Sequence, residues 1–184
     1  KKLVKLLLKK GARYDITDSE GKTALDLALT PDCSGCIKDG GKFLLEAYIA
    51  RPDFNPSIVL KETTGETLLH SLMKLSNSEE IVEKLIKKGA RHDIRDLKGK
   101  TALDIALVGK NGSIREAGKI LIKDYMAQSD FDLHKVLKEA TGETLLHSLV
   151  KLHKTEGMVQ SLLERGVRYD IPDSQGKTAL DLVL

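Results

Sequence analysis

The chain has little of what several function classes require. Two cysteines in 184 residues are too few for a disulfide framework and favour a reducing compartment, cytoplasmic or nuclear, over secretion. A formal net charge of +3 is too small to argue for a nucleic-acid partner. No apolar run approaches the roughly 20 residues of a membrane-spanning helix, and no signal peptide is expected. The first residue is lysine, the chain opens inside a helical pattern, and it stops inside a repeated block, so an excerpt of a longer protein is expected. What the chain does have is 41% apolar and 31% charged residues, enough for a continuous core beneath a large solvated surface.

The informative feature is repetition. GKTALDLAL at Gly21–Leu29 returns as GKTALDIAL at Gly99–Leu107 and GKTALDLVL at Gly176–Leu184. Between them lie TGETLLHSLMKL from Thr64 and TGETLLHSLVKL from Thr141. Gly21, Gly65, Gly99, Gly142 and Gly176 mark steps of 44, 34, 43 and 34 residues. Such a period means stacked supersecondary units. A stacked array displays an extended groove, so binding is the first expectation of function.

Each block opens with a turn glycine and then a threonine placed to cap a helix (Thr23, Thr67, Thr101, Thr144, Thr178). Asp26, Asp104 and Asp181 fall at the capping-box position. A second helix follows, clearest over Glu80–Lys88 and Met158–Arg165, and ends at Gly89 or Gly166. Extended stretches GARYDI, GARHDI and GVRYDI then lead to the next turn. Exposed i,i+4 pairs are expected between Glu66 and His70, Glu143 and His147, Lys22 and Asp26, Lys100 and Asp104, and Lys177 and Asp181.

These residues resemble the ankyrin repeat family, whose units carry a Gly-x-Thr-Pro-Leu-His start, a Leu-Leu pair before Gly-Ala and an Asp-Val-Asn-like hairpin tip. TLLH at Thr67 and Thr144 and GARYDITDSEGKTALDLAL from Gly11 carry the likeness. The chain departs in lacking the signature proline, in placing Asp for His in alternate units, and in two long units. The resemblance implies an all-α, ankyrin-type solenoid of stacked helix-turn-helix repeats with short hairpin or extended tips. One array over 1–184 is expected: a partial repeat 1–18, repeats near 19–61, 62–96, 97–138 and 139–173, and a partial repeat 174–184.

The long units share a frame 77 residues apart, from Tyr48 to Thr64 and from Tyr125 to Thr141, so the true period is a two-repeat cassette. The extra residues after Phe54 and Phe131 read as an added helical turn, with Val59-Leu60 and Val136-Leu137 packed on the array.

Candidates for chemistry are few. Cys33-Ser-Gly-Cys36 has redox or half-zinc spacing, yet no further cysteine completes a site. His70 and His147 sit in TLLH, where the resemblance implies a structural histidine near the threonine cap, and no repeated nucleophile accompanies them. Lys1–Lys10 reads as a basic amphipathic membrane helix or, by its alignment with EKLIKKGAR, as an outer helix whose leucines are core. Tyr14, Phe54, His92, Phe131 and Tyr169 recur once per repeat as a ladder of rings, serving inter-repeat packing or offering partner hot spots.

No catalytic residue, cofactor, metal ion, nucleic acid, membrane or small-molecule substrate is expected. The resemblance implies a scaffold that binds another protein of acidic character through hairpin tips and the inner-helix groove. Carried onto this chain, the tips are Thr17, Ser19, Glu20 and Lys22; Arg95, Leu97, Lys98 and Lys100; and Pro172, Ser174, Gln175 and Lys177. The groove adds Lys74, Leu75, Lys151 and Leu152. The alternative is a recognition module of a larger bacterial or viral effector enzyme whose catalytic part lies outside this chain.

Overall fold

The structure is a computed structural model describing residues 2–30, 36–61, 63–108, 114–138 and 141–184. Its helices fall into two rows. Short inner helices follow the caps at Thr23, Thr67, Thr101 and Thr144: α1 is the outer helix Lys2–Lys9, and the inner helix α2 (Ala24–Ala28) comes next. The outer helix α3 (Asp39–Ile49), the inner α4 (Leu68–Met73), the outer α5 (Glu79–Lys87), the inner α6 (Ala102–Val108) and the outer α7 (Glu116–Ala127) continue the alternation. The inner α8 (Leu145–Val150) and the outer α9 (Glu156–Glu164) complete it.

The caps explain where the inner helices begin. Thr23 Oγ1 accepts from the Asp26 amide at 3.1 Å, while the Asp26 carboxylate accepts from the Thr23 amide at 2.9 Å. Thr101 and Asp104 repeat this, and Thr178 and Asp181 do so in the last block. Each reciprocal cap satisfies amides that the first turn leaves without partners, an effect of about 1 kcal/mol. In the last block the cap forms but the chain continues as turns, with Leu180, Val183 and Leu184 exposed.

Outer helices pack in series, α1 on α3, α3 on α5 and α5 on α7, and inner helices lie against them. Contact between rows is close where a side chain is missing. A Cβ on Gly41 of α3 would stand 2.8 Å from the Ala28 carbonyl oxygen of α2. A hydroxyl ties the rows in each short unit: Ser78 Oγ donates to the Leu72 and Leu75 carbonyls at 3.2 and 3.1 Å. Thr155 Oγ1 does the same to Leu149 and Leu152 at 2.9 and 2.8 Å. The core forms two clusters divided at α6, where Ala102 and Ala106 face the first and Leu103 and Leu107 the second.

Two sequence-based expectations are corrected here. The extra residues after Phe54 and Phe131 form strands, not a helical turn. The strand β1 (Val59–Lys61) pairs antiparallel with β2 (Glu66–Thr67), and β3 (Val136–Lys138) pairs with β4 (Glu143–Thr144). Strand alternation then turns Leu60 and Leu137 to the core and leaves Val59 and Val136 exposed. The fold is therefore mainly helical, as an all-α array requires, and carries two short ribbons besides among the described residues. The second correction concerns α1. It has no buried residue, and Leu3, Leu6 and Leu7 are exposed because the α3 contact covers only its other side.

Candidate functional site

Three hairpin tips, centred on Asp18, Asp96 and Asp173, share one geometry. In the middle tip the Asp96 amide donates to the Lys100 carbonyl at 2.8 Å. Its carboxylate accepts from the Lys98 and Lys100 amides at 2.8 and 2.9 Å. Asp18 accepts from Glu20 and Lys22, and Asp173 from Gln175 and Lys177, in the same way. Donation by the Lys22 amide holds the Asp18 carboxyl below its ordinary value, and the Lys177 amide does this for Asp173. These aspartates are missing from the sequence-derived tip residues. The signal was present, since Asp stands three positions before the turn glycine in DSEG, DLKG and DSQG.

The tips are also tied to their neighbours. Leu97 N–H donates to the Thr64 carbonyl at 2.9 Å, and Ser174 N–H to the Thr141 carbonyl at 2.9 Å. Thr64 precedes Gly65, whose left-handed φ of +68° lets the backbone of one unit meet the tip of the next.

Buried histidines add a second tie. The Thr67 amide donates to His70 Nδ1 at 3.2 Å, so Nδ1 carries a lone pair and Nε2 the proton. Nε2–H then donates to the Lys100 carbonyl at 3.1 Å. His147 repeats this with Thr144 and the Lys177 carbonyl, at 3.3 and 3.2 Å. Both imidazoles are used up by structure: each caps its own helix and fastens the tip 30 residues on.

With the backbone fixed, tip side chains point outward. Thr17, Ser19, Glu20, Lys22, Arg95, Lys98, Lys100, Pro172, Ser174, Gln175 and Lys177 are exposed, as is Leu97 at 72%. Lys22 pairs with Glu20 at 2.7 Å, and Arg95 donates to the Gly99 carbonyl at 2.8 Å. The groove differs from expectation. Leu75 and Leu152, at 3% and 9% exposure, are core residues and not groove surface. They follow Lys74 and Lys151 where the chain turns toward the outer row, so the adjacent lysine takes the solvent side. Lys74 and Lys151 are exposed, but they reach buried Glu66 and Glu143 at 2.5 and 2.7 Å. The inner face is thus less basic than its lysines suggest.

The same contacts correct the i,i+4 pairs. Glu66 and Glu143 meet lysines rather than histidines, and Asp26, Asp104 and Asp181 serve the threonine caps.

At the hairpin roots the rings form two clusters rather than one ladder. Tyr14, Tyr48 and Phe54 meet edge to face with centroids 5.5 and 5.3 Å apart. His92, Tyr125 and Phe131 form the second set at 4.8 and 4.9 Å. The ring missing from the expectation is Tyr48 or Tyr125, which an outer helix inserts between two hairpin rings. Tyr169 stands exposed. Arg-x-Asp forks flank these rings, with Arg13–Asp15, Arg51–Asp53, Arg91–Asp93 and Arg168–Asp170 each making two hydrogen bonds. The Arg13 guanidinium pulls the Asp15 carboxyl down to about 2. Clefts of about 720 and 610 Å³ lie at the two roots, the first between Tyr14, Tyr48 and Arg51 and the second between His92, Tyr125 and Gln128.

Among the described residues no three His, Cys, Asp or Glu side chains are grouped to hold a metal ion. Cys33 and most of the VGKNGS loop lie outside the described residues, and Cys36 is half-buried beside Ser76. No helix, among the described residues, is long and apolar enough to cross a membrane.

No family model matches the chain. It is 25% identical over 180 residues, 98% of its length, to a "Transient receptor potential cation channel subfamily A member 1 homolog" of Caenorhabditis elegans. It is 36% identical over 102 residues, 53% of its length, to the "Palmitoyltransferase ZDHHC13" of Mus musculus. The chain spans only 13% and 14% of these two relatives. Among solved structures it is similar to the ankyrin repeat domain of Bcl-3, described as a unique member of the IkappaB protein family. The TM-score is 0.54 at 22% identity, over 97% of this chain and 71% of that one.

Proposed function

We propose that this chain, which has the ankyrin repeat fold, is a protein-binding scaffold that recognises its partner through the three hairpin tips and the adjoining inner-helix face. The observation that carries the reading is the middle tip. Leu97, exposed at 72%, stands between Arg95, Lys98 and Lys100 on a backbone fixed by Asp96, Thr64 and His70. An exposed leucine ringed by cations on a preorganised turn loses little entropy when a partner covers it. It suits an acidic surface with an apolar centre, because the charges steer the encounter and the leucine fills a pocket. The scaffold is read as one continuous solenoid with no chemistry of its own, consistent with both buried histidines being committed to structural bonds.

The test is an affinity capture read by quantitative mass spectrometry, with the wild-type chain beside two variants. Lys98→Glu/Lys100→Glu reverses the middle tip. Lys9→Glu/Lys87→Glu reverses two exposed outer-row lysines of equal charge. A partner recognised by the tips is lost from the first variant and kept by the second. Loss from both would mean generic attraction to a basic surface, and retention by both would place recognition elsewhere.

A further inference from the structure

The duplicated cassettes allow one seam of the array to be compared with its own copy. In the first cassette the outer helices α3 and α5 are bridged by two ion pairs. Lys42 Nζ lies 3.1 Å from Glu80, and Lys84 Nζ lies 2.5 Å from Glu46. Seventy-seven residues on, in the seam between α7 and α9, the same four positions are Lys119, Gly157, Ser161 and Lys123. Both acids are gone, one replaced by lysine and the other by glycine. Lys88 becomes Arg165, and Asn77 becomes Lys154. At these six positions the first seam sets two acids against three cations, whereas the second has four cations and no acid, its Lys119 turning to Glu116 on its own helix.

The geometry follows the exchange. A cleft of about 500 Å³ opens between the helices, lined by Lys119, Lys123, Lys154, Ser161 and Arg165 around Met126 and Met158. A Cβ on Gly157 would meet nothing within 4 Å, so the first turn of α9 faces open space where Glu80 stands in the other cassette. α9 lies less closely against α7 than α5 does against α3. Lys119 is held by Glu116 at 2.8 Å, and Arg165 donates to the Met126 carbonyl and lies over the Phe131 ring. Lys123 and Lys154 meet no carboxylate among the described residues. Lys154 also occupies a left-handed conformation, φ +63°, where the first cassette has Asn77 at φ +60°. Asparagine tolerates that region and lysine is strained in it, so local folding does not account for a lysine there.

We propose that the α7–α9 seam binds a phosphorylated side chain on a segment of a partner protein. In the first seam one carboxylate satisfies one lysine. The second seam presents several cations and a hydroxyl to one small space, which calls for an anion of more than one charge with several acceptor oxygens. A phosphate monoester supplies both. The floor residues Met126 and Met158 are buried. The cleft therefore offers no apolar side chain for insertion into a bilayer, and a protein-borne phosphate fits it better than a lipid headgroup. The site lies on the outer row, away from the tips, and does not depend on the tip reading.

The experiment is an NMR titration of the full chain with acetyl-Gly-Ser-phosphoserine-Ser-Gly-amide. The unphosphorylated peptide, inorganic phosphate, and vesicles of phosphatidylcholine with phosphatidylserine serve as the other arms. The phosphopeptide should shift the amides of Lys119, Lys123 and residues 154–161, and bind at least about tenfold more tightly than its unphosphorylated form. Lys123→Glu/Ser161→Lys installs the ion pair of the first seam. It should weaken the phosphopeptide by at least about tenfold without lowering the melting temperature. Lys154→Asn should weaken it severalfold, and Lys98→Glu/Lys100→Glu should leave it unchanged. Four results would overturn the proposal: shifts spread over all exposed lysines, inorganic phosphate binding as well as the peptide, a seam swap without effect, or vesicles that capture the wild type but not the swap.

Discussion

Replacing Gly65 with alanine tests whether the tips are held by the neighbouring unit, and Gly99→Ala is its internal control. Both glycines sit in central repeats with left-handed backbones, φ +68° and +72°. Either alanine pays the cost of that conformation, roughly 1–2 kcal/mol. They differ in what the new Cβ meets. At Gly99 nothing lies within 4 Å, whereas at Gly65 the Leu97 nitrogen is at 2.9 Å and Leu97 Cγ at 3.1 Å. Backbone atoms cannot rotate aside, so the tip must shift. The hydrogen bond from Leu97 N–H to the Thr64 carbonyl is then strained or lost. That bond contributes about 1 kcal/mol and the overlap a further 1–2 kcal/mol. Gly99→Ala should therefore cost about 1–2 kcal/mol and Gly65→Ala about 3–5 kcal/mol. Urea unfolding followed by far-UV circular dichroism gives the difference. Native-state hydrogen exchange should show the Leu97 amide losing protection only in Gly65→Ala. Equal costs for the two variants, with Leu97 equally protected in both, would refute the inter-repeat tie.

His70→Ala orphans the Thr67 hydroxyl and amide and the Lys100 carbonyl and opens a cavity, so calorimetry should show a loss of about 3 kcal/mol or more. Desolvation pushes the His92 pKa down, and Gln128 donates to its Nδ1 at 3.2 Å, which also favours the neutral ring. The unfolded chain therefore binds the proton more readily, and stability should fall as pH drops below about 6.5. His92→Tyr, which installs the Tyr14 counterpart, should flatten that part of a melting-temperature profile. Asp15, held at about 2 by Arg13, contributes stability that is fully present above the ordinary carboxyl range and fades as pH falls from about 4 toward 2. Its carboxyl carbon should titrate in that lower range by NMR, and Arg13→Gln should move it up toward the ordinary one. Amides of residues 180–184 should exchange much faster than those of Leu103–Leu107, because turns with exposed leucines replace a packed helix there.

The readable parts of this fold are those governed by short-range spacing. Thr23 with Asp26, or Thr101 with Asp104, needs only three residues to announce a helix start, and turn glycines such as Gly21 and Gly65 set the period by repetition. The ribbons were not readable. Val59-Leu60-Lys61 is a three-residue segment whose partner, Glu66-Thr67, reads first as the approach to a helix. Leu75 and Leu152 were misplaced because a Lys-Leu pair at a helix end does not reveal which member faces the core until the returning chain is known. Leucines in α1 follow the outer-helix pattern, yet burial depends on a neighbour that no local pattern supplies. The α7–α9 seam was visible in principle. Comparing Glu46 with Lys123, Glu80 with Gly157 and Lys84 with Ser161 across the cassette offset exposes it, once the structure shows that these positions face one another.

Tips that form the partner surface must be covered when the partner binds. Hydrogen–deuterium exchange of the free and partner-bound chain tests that coverage most directly. Exchange should slow at residues 17–22, 95–100 and 172–177, most around Leu97, with little change along the outer helices α3 and α5. A saturated complex in which those three segments exchange as they do in the free chain would contradict it.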